Sequence, residues 1–140
     1  MLDESRKSLS LYRYEKAAEC LTASEAAMEI ESLPMSINRS YYCIFHAMRA
    51  VLSLDSYDSS KHSGIISIFR QYYIKTGIFP VELSDIIERA FTIRNKSDYD
   101  DFYIFSKFEA LNQLNDARVF LTEVGAYIKT LVSESDTEKE

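Results

Sequence analysis

A chain of 140 residues with 16 Lys and Arg against 22 Asp and Glu, a net charge of −6 and 46% hydrophobic residues has the size of one domain and enough apolar content for one core. Three glycines and two prolines are too few for the many turns of a sandwich or barrel, so the composition predicts an all-α chain. The acidic balance excludes broad, sequence-blind adhesion to DNA or to acidic lipid, which relies on surplus Lys and Arg, and leaves room only for a local contact with nucleic acid.

Helix one is predicted over about Asp3 to Glu31, where Tyr14, Ala17, Ala18, Leu21, Ser24 and Met28 recur at three and four, with Ala23, Ala26 and Ala27 as a second, small face. Ser32-Leu33-Pro34 ends it and opens helix two, because proline fits a first turn but not a helix interior. Helix two runs to about Leu52 and is apolar or small almost all round, which predicts a central position. Leu54 to Ser60 reads as a polar turn, and Ser60 as the cap of a third helix from about Lys61 to Lys75, stopped by Gly77. Pro80 opens helix four, which passes Asp98 and gives way to an aromatic, acidic connection, Tyr99 to Phe105. Ser106 with Glu109 reads as a capping box for helix five, whose Ala110, Leu114, Ala117, Leu121, Val124, Ile128 and Leu131 form the seam of a bundle helix. The expected organisation is a single domain over residues 1–132 and a charged, flexible tail over 133–140.

Two polar stripes interrupt this pattern. On helix four, Leu83, Ile87, Ala90, Arg94 and Asp98 fall along one face, which places a cation and an anion one turn apart among apolar residues. Removing such a pair from water costs several kcal/mol, about, per ion, so stability alone is a weak reason for it. On helix two, Arg39, Tyr42, His46 and Arg49 share a second narrow stripe. If helices two and four are neighbours, the stripes face each other across one groove. A lone histidine on an apolar helix is more often hydrogen-bonded core than a reactive group, and His46 and His62 carry that reading beside the functional one. Cys20 and Cys43 lack paired spacing and read as small core residues of a reducing, cytoplasmic compartment, with no signal peptide ahead of them. Tyr41 to Leu54, the longest apolar stretch, is shorter than a bilayer span and is broken by His46 and Arg49, so no membrane helix is expected.

The segment Asn38-Arg39-Ser40-Tyr41-Tyr42-Cys43-Ile44-Phe45-His46-Ala47-Met48-Arg49-Ala50-Val51-Leu52, then Lys61-His62-Ser63-Gly64, then Arg94-Asn95-Lys96-Ser97-Asp98-Tyr99-Asp100-Asp101, resembles the HEPN domain family in order and spacing. The likeness is to its small, stand-alone prokaryotic branch and runs from helix one to helix five. It implies an antiparallel bundle of four to five helices, a homodimer, and a minimal nucleotidyltransferase as partner in a toxin–antitoxin-like pair. It also implies, for many members, metal-independent RNA cleavage by an Arg, a polar residue directly after it, and a His several residues on. Arg94 and Asn95 match the start of that signature, whereas Asp98, Tyr99 and Asp100 stand where the His would fall, and no His follows His62.

Arg94, Asn95 and Asp98 are therefore the catalytic candidates, and Arg39, Tyr42, His46, Arg94, Asp98 and Tyr99 the candidates for ligand binding. Cleavage without metal needs a general base for the 2′-hydroxyl proton and an acid for the leaving oxygen, roles that suit His. Asp98 beside Arg94 would be held charged, so it reads as an ion-pair partner and not as an acid. Tyr99 and Tyr103 are modification candidates by resemblance only. Asp98, Asp100 and Asp101 read as a solvated turn; no metal site and no cofactor is expected. Three functions follow: a binding and regulatory partner of a nucleotidyltransferase with a nucleotide- or RNA-binding cleft, an endoribonuclease toxin with a degenerate motif, or a dimer in which Arg94 and Asp98 bind nothing.

Overall fold

The computed structural model describes residues 2–99 and 102–139, apart from the side chains of 97–99 and 136–139. It is all-α, with α1 at Glu4–Glu29, α2 at Leu33–Leu54, α3 at His62–Phe69, α4 at Glu82–Tyr99 and α5 at Lys107–Lys139. No strand occurs among the described residues. A π-helical turn, Arg70–Ile74, continues α3, a wider winding that the apolar spacing of the sequence does not announce. Residues 133–139, expected as a tail, continue α5, and Ser135 Oγ donates to the Leu2 carbonyl at 3.3 Å.

The ends follow local chemistry. Asp3 accepts from the Arg6 N–H at 2.8 Å and so satisfies one of the unpaired donors of the first turn of α1. Pro34 sits in the first turn of α2. The expected Ser60 cap is not formed: Lys61 occupies the capping position of α3 without a side-chain bond, and Ser59 Oγ accepts its N–H at 3.2 Å. Gly77 turns the chain before α4 at φ +82°, a region open to glycine without steric penalty. The capping box is reciprocal: Ser106 Oγ accepts from the Glu109 N–H at 3.0 Å, and Glu109 accepts from the Ser106 N–H at 3.1 Å.

As its all-round apolar character requires, α2 is central and touches α1, α3, α4 and α5. Phe69 stacks at 5.4 Å on Phe79, 5.5 Å from Phe120 and 5.7 Å from Tyr73, forming an aromatic centre beneath α2. Cys20 and Cys43 are buried free thiols, as expected, and burial pushes Cys43 up to about 12. The α1–α2 contact is polar at two depths. Ser10 Oγ donates to the Ala50 carbonyl at 2.7 Å, while Ser24 Oγ donates to the Ser36 carbonyl at 2.8 Å and lies 2.9 and 2.8 Å from the hydroxyls of Ser36 and Ser40. All these serines are fully buried, so their bonds replace those lost to water. Where α1 meets α5, Gly125 leaves room for the Tyr14 phenol; a Cβ there would overlap the hydroxyl and stand 2.9 Å from Cζ.

Candidate functional site

The α2 and α4 stripes touch at Tyr42 and Arg94, where these helices pack against each other. Arg94 leaves α4 half-buried and lays its guanidinium over the faces of Tyr41 and Tyr42, 4.7 and 5.6 Å from their ring centres. One nitrogen reaches the Tyr42 hydroxyl at 3.4 Å and another lies 3.5 Å from His62 Nδ1. Tyr41, buried in the core, places its hydroxyl 2.7 Å from the same ring nitrogen. Three elements thus converge on one point: α2 with its two tyrosines, the first residue of α3, and the middle of α4.

His62 is held face to face with Phe45, ring centres 4.1 Å apart, and lies nearly parallel to Tyr41. An arginine can only donate, so the contact with Arg94 favours the tautomer in which Nδ1 accepts and the ring proton sits on Nε2. Burial and the neighbouring Arg94 charge both hold His62 below its ordinary value, which keeps the ring neutral. A neutral ring in this tautomer offers an N–H to an anion.

The remaining stripe residues extend the site along α2. Arg39 lies over the outer part of Tyr42 at 5.2 Å and is braced by Asn38 Oδ1 at 2.8 and 3.1 Å. His46 packs against Tyr42 at 5.9 Å and is pushed down to about 4, by burial first and then by Lys16, Arg49, Arg39 and Arg13. Arg49 does not join the Arg94 cluster; it turns to Asp58 at 3.5 Å. Asn95 is half-buried beside Arg94. Tyr103 is engaged elsewhere: it donates to Glu109 at 2.6 Å and carries Lys96 over its ring at 5.2 Å. The Asp98 and Tyr99 side chains lie outside the described residues, as does Asp100 altogether. Tyr41 carries no mark of the site in the sequence, since it shares the apolar face of α2.

A model of the HEPN domain matches residues 10–127. The chain belongs to the HEPN domain family. Among its relatives, "Putative toxin MJ0142" of Methanocaldococcus jannaschii is 33% identical over 128 residues, covering 89% of this chain and 87% of that protein. A "UPF0332 protein" of Thermotoga maritima is 29% identical over 130 residues, 93% of this chain and 98% of the relative. A second protein of Methanocaldococcus jannaschii, "Putative toxin MJ0605", is 27% identical over 118 residues, 84% of this chain and 87% of its own length. In this HEPN chain the histidine that faces Arg94 comes from the start of α3. No helix among the described residues is long and apolar enough to cross a membrane, and no three metal-binding side chains gather among them.

The environment of His46 has a consequence for stability. In the unfolded chain the ring titrates near 6.5, and in the folded chain near 4, so between these values the unfolded state binds more protons. The contribution of His46 is full above pH 6.5, falls as the pH drops through that window, and has run out near pH 4. Allowing for the solvent that still reaches the ring, the loss is about 1–2 kcal/mol. Urea unfolding at pH 7 and pH 4.5 should show His46→Gln to be less acid-sensitive than the wild type by that amount; identical acid sensitivity would contradict the assignment.

Proposed function

We propose that this HEPN protein binds the phosphate of an RNA chain in the groove between α2 and α4 and serves as the binding component of a toxin-like, two-component system with a minimal nucleotidyltransferase, acting as a homodimer. The observation that carries the reading is the convergence of Arg94, the His62 ring and the Tyr41 and Tyr42 hydroxyls at one half-buried point. A guanidinium with an adjacent neutral N–H donor suits a phosphate oxygen. The names of the relatives support the toxin-like part of the reading and say nothing of a partner.

The tautomer of His62 favours binding over cleavage, since a ring whose Nδ1 lone pair faces Tyr41 and Arg94 has no second lone pair with which to take a 2′-hydroxyl proton. Cleavage is the second reading, favoured by the presence of any imidazole beside Arg94; it requires ligand binding to turn the ring. Calorimetric unfolding tests the first. A single-stranded oligouridylate at 100 times its dissociation constant should raise the unfolding free energy by about 2.7 kcal/mol. No shift at millimolar RNA overturns the binding reading, and RNA breakdown in chelator that Arg94→Ala removes replaces it with the nuclease.

A further inference from the structure

Beyond the Arg94 point, a second group of cations occupies the α1–α2 face and takes no part in the site described. Arg13, on α1, crosses to α2, donating to Ser53 Oγ at 2.7 Å and to the Arg49 carbonyl at 3.4 Å. Its side chain is 13% exposed and that of Arg49 28%, so both guanidiniums are partly withdrawn from water. They share one carboxylate, Asp58, at the long distances of 3.7 and 3.5 Å, and that carboxylate is 55% exposed. Arg49 Nε is buried without a hydrogen-bond partner among the described residues. Two cations loosely neutralised by one exposed anion, with a donor unmet, is the composition of an anion site whose protein carboxylate can be displaced.

The position of this pair matters as much as its charge. Arg39, Tyr42, His46 and Arg49 follow one another at three and four along α2, and from Tyr42 to Arg49 is about 10 Å of helix. Tyr42 touches Arg94 at one end, His46 packs on Tyr42, and Arg49 holds the other end beside Arg13. The charges that act most strongly on His46, from Lys16, Arg49, Arg39 and Arg13, are positive, although the whole chain is at −6. A single phosphate fills one end only.

We infer that Arg13 and Arg49 form a second phosphate subsite, masked by Asp58, and that one single-stranded RNA runs along α2 from Arg94 to this pair. The inference rests on the RNA-binding reading of the Arg94 groove and adds the direction and length of the strand. When the strand arrives, its phosphate takes the place of the Asp58 carboxylate on the two guanidiniums.

The test is fluorescence anisotropy with a labelled twelve-nucleotide oligouridylate, titrated at several salt concentrations. Asp58→Asn keeps the oxygen that accepts the Ser59 N–H while removing the competing charge, and should bind about threefold tighter or more than the wild type. Glu123→Gln, which removes the same charge from an exposed position on α5, should change affinity less than that. Arg49→Gln should bind several times more weakly and lower the salt slope by about one. Thermal unfolding confirms that each variant is folded, and Asp58→Asn alone decides the matter if Arg49→Gln is not. Asp58→Asn binding no tighter than Glu123→Gln overturns the second subsite, and so does a folded Arg49→Gln with wild-type affinity and slope; in either case loss of binding in Arg94→Ala leaves the first site standing. A wild type that binds no RNA overturns both.

Discussion

Arg94→Ala is expected to bind single-stranded RNA about thirtyfold more weakly than the wild type, or worse, while keeping its helical circular dichroism and cooperative melting. The guanidinium lies over both tyrosines and reaches His62, and it does so half-removed from solvent, where its field is less screened than at the surface. Truncating one partner of a desolvated, hydrogen-bonded charge contact typically costs about 2–5 kcal/mol, of which the lower end already corresponds to that factor. Arg94→Lys should recover only part of the loss, because an ammonium restores the charge but cannot reach Tyr42 and His62 with two nitrogens at once. Anisotropy at low and moderate salt reads both variants. Wild-type affinity in Arg94→Ala would remove α4 from the binding site.

The largest effect on stability is expected at Phe69→Ala, a loss of about 3–5 kcal/mol measured by urea unfolding. The ring is fully buried and meets Tyr73, Phe79 and Phe120, which come from the π-helical turn, the segment before α4, and α5. These neighbours cannot all close on the void, because Tyr73 is also fixed by a short bond from its phenol to Asp55, and Phe79 by its N–H to the Tyr73 carbonyl at 2.8 Å. Phe69→Leu, which leaves less space, should cost clearly less. Equal losses in the two variants would mean that cavity size is not what sets the cost.

Much of this structure is legible before any coordinates, for physical reasons that also mark where legibility stops. The five helices follow from three- and four-residue spacing, and the capping box of α5 from the pair Ser106 and Glu109, because these are interactions within one turn. The α2 and α4 stripes were visible because each interrupts an apolar face. The placement of His62 was not, since it depends on how the chain between Leu54 and Lys61 returns α3 to α2, and no periodicity reports the path of a turn. Arg13 is hidden in the sequence for a different reason. Helix α1 carries Glu, Lys and Arg around much of its surface, so a single arginine aimed at Ser53 stands out only once its partner helix is in place. The π-helical turn left no signal either, for Phe69 and Tyr73 keep the ordinary spacing of four.

The buried serines of the first two helices have a bearing on how the chain finds this arrangement. Ser10 and Ser24 are separated by about 21 Å along α1, and each reaches across to α2. Were the two rods to slide past one another by a single winding, about 5.4 Å, at least one of the three clustered hydroxyls would lose its partner on the other helix and fall back on a carbonyl of its own helix. An interface of alanines would tolerate that misalignment. The hydroxyls penalise it at both ends of the hairpin, and thereby help set the axial position of Arg13 relative to Arg49.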